Sequence, residues 1–403
     1  MRPGGKVKAT ARREMSVACT LRAVLLMTLM PDADHREVLS TLLGDLVAVP
    51  WRRAHTVPSG TVFSTWRTAI GPAPLRELQR LALGAVVAEH RAAGPAAGAE
   101  VGGGLRLGAL DGSVTRMPDT KANRGEFGTA GAVQAGYPQI RHLHATDAVT
   151  RATLAGDARH QHARPDPRQV RHPAARIGEF APDGSYQAHL SGAGLTLTVR
   201  VIEYHITLDA ATTPELFCLL TDLLDHVEHP AHLLADAYRW RWDGSETALR
   251  EAKSTLDGAG PGTGAILRST TPELLAQEHS AWILATELVH AATRSAAATA
   301  APFRKGPRAG QTVHPRHLSF TTAHRTLITT VRSGTATASL PAPARAAAHR
   351  AALDVIATAR VTTDRHRHRD HKIKSRQAFA HTPRGSTTRT APATVHVCGA
   401  TAA

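Results

Sequence analysis

Apolar positions follow two different periods along this chain, and the change of period divides it. Over residues 17–48 and 60–92 they recur at the three-to-four spacing of one helix face. Pro31 interrupts the first stretch and the Asp32/Asp34 region suits a capped restart, so two helices are predicted there. Two more are predicted over 60–92. Ser59 or Thr61 can cap the first, and Pro74 stands at the start of the second, where a missing N–H costs little. Residues 94–104 are rich in Ala and Gly and read as a linker. Beyond it, residues 105–110 alternate as a strand that runs into Asp111-Gly112, and 140–145 and 150–154 predict a strand pair. Residues 156–180 have no apolar period and many breakers, which predicts a loop inside a structured region. Residues 195–206 carry the strongest strand signal of the chain. Residues 214–224 read as a helix, 230–256 as a long helix interrupted near Gly244, and 271–293 as a helix opening on Pro272-Glu273.

Composition adds a partner to this outline. The chain has 403 residues, enough for one large or two to three ordinary domains, and at 42% hydrophobic it can bury a sizeable core. Its net charge of +15 favours a polyanion, because each phosphate neutralised by Lys or Arg releases condensed counterions. Residues 1–13 read as a basic arm, and 360–376 as a basic, histidine-rich tract. Cys19, Cys218 and Cys398 are far apart and form no CxxC pair, which fits a reducing cytoplasm rather than a disulfide framework or a cysteine-rich zinc module. The apolar stretch 16–30 follows a basic lead, but Arg22 sits in its middle, it is too short to span a bilayer, and no small-residue cleavage site follows. It reads as a buried helix, with a cytoplasmic location and no membrane partner.

Two segments carry candidate chemistry. Asp111 ends a strand and is followed by Gly112-Ser113, a place where a strand fixes a carboxylate and a glycine admits substrate; a turn aspartate gives the same pattern. Further on, Glu246, Leu249 or Arg250, and Lys253 share one helical face, which can hold out a carboxylate and an ammonium; a solvated helix with ion pairs gives the same spacing. No GxGxxG or P-loop pattern is present, so no nucleotide cofactor is implied, and Ser113 lacks a nucleophile-elbow context. His366, His368 and His371 lie close together, but their basic surroundings read as a DNA-facing tail rather than a metal site.

Taken in order, these segments resemble the DDE transposases of the type-four insertion-sequence family. The resemblance rests on Leu110-Asp111-Gly112-Ser113, on Pro118-Asp119-Thr120 with Asn123 and Phe127-Gly128, and on Tyr137-Pro138. It continues through Asp225, His229-Pro230, Glu246 with Lys253 as half of a YREK signature, and Pro272-Glu273 with Gln277-Glu278. Arg22 to Leu46, with Pro31-Asp32 and Arg36-Glu37-Val38, is similar to the family's N-terminal domain, and the likeness covers about residues 16–335 with gaps. It implies an α/β fold: an all-helical N-terminal domain over 1–95, then a ribonuclease-H-like catalytic core over 96–335 with a β-rich insertion around 180–230. A basic low-complexity tail over 336–403 would follow. It also implies cleavage and strand transfer at the inverted repeats of double-stranded DNA, in a homodimeric synaptic complex. Two Mg²⁺ ions about 3.5–4 Å apart would activate the nucleophile and stabilise the leaving oxygen. Asp111 and Glu246 would be the catalytic metal ligands, as hard cations require oxygen donors. Tyr238, Arg241 and Lys253 would hold the DNA backbone.

The sequence departs from this pattern twice. No aspartate occurs in the context of the family's second catalytic aspartate, and Asp183-Gly184-Ser185-Tyr186 already matches a later motif. An internal deletion of the strand that bears it accounts for both, and leaves the core incomplete. Asp157 and Asp166 are the nearest substitutes, and neither has a strand-like context. Residues 242–245 between Arg241 and Glu246 are one more than the family has, and one residue turns a helix by about 100°. The alternative to an active enzyme is therefore a catalytically inactive DNA-binding remnant that occupies transposon ends or inhibits an intact copy. A generic basic nucleic-acid-binding protein is a third reading.

Overall fold

The computed structural model describes residues 16–47, 57–92, 108–128, 136–160, 175–192, 195–207, 215–241, 247–256, 267–306, 308–333, 340–361 and 394–399. They mix helices and strands in two compact units. The first joins residues 1–97, 107–164 and 241–362, and the second joins 98–106, 165–240 and 363–403.

The first unit is organised by one helix. Its elements are α1 (Val17–Leu29), α2 (His35–Val47), α3 (Gly60–Ile70), α4 (Ala73–Ala92), β1 (Gly108–Arg116), α5 (Lys121–Phe127), β2 (Gln139–Asp147) and β3 (Thr153–His160). Beyond α6 (Ala231–Arg241), which belongs to the second unit, α7 (Thr247–Leu256), α8 (Pro272–Thr299), α9 (Phe320–Arg332) and α10 (Ala342–Thr358) complete it. Helix α8 is the hub. Thr271 caps it by accepting from the Leu274 N–H, and Pro272 opens it. Leu275, Ile283, Ala285 and Val289 are fully buried, and so are polar positions such as Gln277, Thr286 and His290. Between Leu274 and Glu287 no residue is exposed, so this stretch is the interior of a bundle rather than its wall.

The four leading helices found over residues 17–92 share this unit with the sheet and the closing helices. The reason is polar as well as apolar. Buried Arg67 on α3 donates from Nε to Gln277 Oε1 (3.2 Å), and from Nη2 to Ser269 Oγ (2.9 Å) and the Leu274 carbonyl (2.9 Å). Gln277 donates back to the carbonyls of Arg67 (2.7 Å) and Gly71 (2.8 Å). Arg268 donates to the carbonyls of Ala33 (2.5 Å) and Met27. Glu278 accepts the N–H groups of Arg268 (2.9 Å) and Ser269 (3.0 Å). These bonds close off the loose ends of α1, α3 and α8, and leaving any one of those buried groups unpaired costs about 1–3 kcal/mol.

The sheet of this unit is an antiparallel meander, β1-β2-β3. β2 shows an alternating burial pattern, with Ile140, His142, His144 and Thr146 inward. β1 pairs with β2 alone among the described strands and forms an edge. β3 runs to His160, so the first residues of the expected loop belong to a strand. Its sequence lacks apolar alternation because Gly156 lies directly under Ile283 of α8, where a Cβ would stand 2.8 Å from the Ile283 Cδ1.

The second unit is a sheet of β4 (Ala175–Ile177), β5 (Tyr186–Gly192), β6 (Leu195–Thr207), β7 (Glu215–Thr221) and β8 (Thr394–Val397), with α6 (Ala231–Arg241) running to its end. β6 is central, pairing β7 on one edge and both β5 and β8 on the other. Its apolar residues Ile202 and Tyr204 pack with Ala231, Ala235 and Val397. Residues 215–221, expected as part of a helix, form β7 instead. Pairing with β6 satisfies its backbone, and Phe217 stacks on Tyr204 at 5.3 Å, so tertiary context overrides a leucine-rich local pattern. Of the helix expected over 230–256 with an interruption near Gly244, the described parts are α6 and α7, and 242–246 lie outside the described residues. α10 and β8 lie within the span expected as a tail, and Ile356 of α10 is buried in the α8 core. The basic arm, the 94–104 linker, Asp166 and the His366–His371 group lie outside the described residues.

Candidate functional site

Asp111 sits inside β1, not at its end, and is partly buried. Its Oδ1 accepts the N–H of Gly112 at 2.7 Å. Its cross-strand partner is His144, and His144 in turn faces Gly156 of β3. Directly paired residues share a face of an antiparallel sheet, so Asp111 belongs to the inward row. Asp157 is in β3, correcting the loop expected there, but it pairs with Leu143, one row away from Asp111.

The floor of this face is a cluster of imidazoles around Trp282. His142 stacks on His279 at 4.6 Å, and His144 meets Trp282 edge-on at 4.9 Å. Burial holds His144 neutral, with its pKa lowered to about 4, and lowers that of His279 to about 3 with help from His144 and Arg76. His142 is pushed well down by burial, and further by the charges of His279, His144 and Lys253. Both ring nitrogens of His142, and the Nε2 atoms of His144, His279 and His290, have no described hydrogen-bond partner. The chain contained a signal for this cluster, since His142-x-His144 alternates within a strand, but strand alternation alone does not reveal which helix answers it.

Lys253 lies on α7, half-buried, and its charge is among the causes that lower the His142 pKa. Helix α7 is held by Glu251, which accepts from Arg151 Nη1 at 2.7 Å in the β2–β3 turn. Arg151 is the only non-glycine residue at positive φ among those described, at 57°, a left-handed conformation that tightens this turn. Asp147 holds the same turn, accepting the N–H groups of Val149 (3.0 Å) and Thr150 (2.5 Å) and facing His90 Nε2 at 3.3 Å. Glu287 accepts the Thr153 N–H at 2.7 Å and pairs with Arg294. The carboxylates nearest to α7 and the turn are thus committed to structure. Glu246 lies outside the described residues. Tyr238 is a half-buried residue of α6 in the second unit, and Arg241 ends that helix.

A pair of magnesium ions needs several oxygen ligands on one face. Among the described residues Asp111 is the one carboxylate that the register places in the inward rows of β1 and β2, and no three His, Cys, Asp or Glu side chains converge as a metal site. Neutral buried imidazoles are poor partners for a hard cation. The described residues do not make up a two-magnesium donor set. All three cysteines are free, and among the described residues no helix is long and apolar enough to cross a membrane. No protein-family model matches the chain, and no curated protein matches it significantly.

Proposed function

We propose that this protein is a degenerate DDE transposase of the type-four insertion-sequence kind, which binds double-stranded DNA but does not cut it. The observation that carries the reading is the place of Asp111. It stands on the edge strand of an antiparallel meander backed by α8. A strand laid on the free edge of β1 would run about 4.8 Å away and present its own side chains beside Asp111. The family resemblance implies a second aspartate on a further core strand, and the chain has no residue in the family's context to supply it. Loss of that strand would remove a metal ligand and leave the chain's net charge of +15 in place. The DNA-binding remnant is therefore favoured over the active enzyme, with occupation of transposon ends or inhibition of an intact copy as its role.

The test is a plasmid-cleavage and strand-transfer assay with Mg²⁺ or Mn²⁺, run beside a duplex-binding assay. Duplex binding without cleavage is the expected result. Cleavage that Asp111→Ala abolishes would overturn the loss of activity, and absence of duplex binding would overturn the reading altogether.

A further inference from the structure

Between Glu287 and Asp354 the chain contains no acidic residue, while Arg294, Arg304, Lys305, Arg308, Arg316, Arg325, Arg332, Arg345 and Arg350 all fall there. Some of these cations are engaged: Arg294 pairs with Glu287, and Arg332 with Glu37 at 2.8 Å. Others build a turn after α8. The Phe303 N–H donates to the Gln311 carbonyl (3.1 Å), and the Gly310 N–H donates back to the Phe303 carbonyl (2.8 Å), so the two ends of the turn are tied. Gly306 and Gly310 take φ of 86° and 82°, which a side chain would resist. The Phe303 ring is held by two guanidiniums, Arg308 at 5.5 Å and Arg360 at 4.9 Å from its centroid. Arg360 also donates to the Ala301 carbonyl (2.6 Å), and Arg308 to the Val361 carbonyl (3.3 Å). The turn is therefore closed and anchored on α10's exit, with its cations divided. Arg308 and Arg360 hold it, whereas Arg304 and Lys305 at its tip are exposed and form no ion pair with a described carboxylate.

We propose that this turn, with Arg304 and Lys305 as its contact residues, is a docking surface for the phosphodiester backbone of duplex DNA, additional to Tyr238, Arg241 and Lys253. The inference rests on the DNA-binding reading above. Charge complementarity identifies the occupant: two exposed cations on a span that itself carries no carboxylate suit a phosphate row, and a turn already fixed by its own bonds loses little entropy on binding. Contacts of this kind position a duplex without reading its sequence.

The experiment uses the full chain and a fluorescently labelled random-sequence DNA duplex, with affinity measured by anisotropy across a salt series. The variants are Arg304→Ala/Lys305→Ala and the charge reversal Arg304→Glu/Lys305→Glu, both at exposed positions, with circular dichroism to verify the fold. Two lost phosphate contacts lower the slope of log K against log salt by roughly 1.8, at about 0.9 each, and weaken binding by roughly tenfold near physiological salt. The charge reversal weakens it further. Wild-type binding with unchanged slope and affinity in both variants overturns the turn and leaves the DNA reading standing. No duplex binding by the wild type overturns both. Tighter binding to vesicles of anionic lipid than to the duplex, lost in the same variants, overturns the choice of occupant.

Discussion

His279 is buried on the side of α8 that meets the sheet, stacked on His142, with its Nε2 unpaired among the described residues. An imidazole in that position must stay neutral, which is why burial lowers its pKa to about 3. Above pH 6.5 the ring is neutral in both the folded and the unfolded chain, and it has no effect on the pH dependence of stability. As pH falls from 6.5 toward 3, the unfolded chain binds a proton that the folded chain refuses, so stability falls with pH in that window. The loss is about 1.4 kcal/mol per pH unit for this residue. His279→Phe, which keeps a flat ring and removes the titration, is expected to flatten the dependence of urea-unfolding free energy on pH between 6 and 4. An unchanged slope would show that His279 is not the group responsible. Sequence reading reached Asp111 because its neighbours Gly112 and Ser113 resemble a motif. It passed over His279, whose meaning lies in the strand across from it and not in its own neighbours.

At the scale of elements, the helices were legible and the strands less so. Helices α1, α3 and α8 announce themselves locally, through Ser16, Ser59 and Thr271 as caps and through their apolar period. β6 was equally plain, a run of β-branched residues over Leu195–Thr207. β7 was not, because Glu215–Thr221 is rich in leucine and its identity as a strand depends on β6 beside it. β3 was legible only in part, because its contact with α8 is made by a glycine. That contact gives a sharp prediction. Gly156→Ala would place a methyl group 2.8, 3.1 and 3.2 Å from Cδ1, Cγ1 and Cγ2 of Ile283, which is fully buried and has nowhere to turn. Overpacking of this kind costs about 1–3 kcal/mol. Ile283→Val removes the nearest of these carbons. The double variant is therefore expected to recover part of the loss, so that the two changes are not additive in urea unfolding. Strict additivity would mean that β3 and α8 are not in contact at this point.

The whole molecule combines a strongly basic chain with a sheet whose candidate carboxylate stands alone. These two properties separate binding from catalysis. Under the proposed reading, binding would draw on a net charge of +15 and on cations spread over many elements, so it would not depend on any one carboxylate. Catalysis draws on a donor set in which the described residues place only Asp111. A ligand that binds the folded state alone raises its stability by RT ln(1 + [L]/Kd), about 2.7 kcal/mol at a hundred times Kd. An assembled two-magnesium site would therefore show itself as a rise in melting temperature on adding millimolar Mg²⁺, and Asp111→Asn would remove that rise. The expected outcome here is the opposite: no Mg²⁺-dependent shift in the wild type, none in Asp111→Asn, and equal affinity of both for a DNA duplex. A shift that disappears in the variant would mean that other parts of the chain complete the site, and that the edge position of β1 does not prevent metal binding.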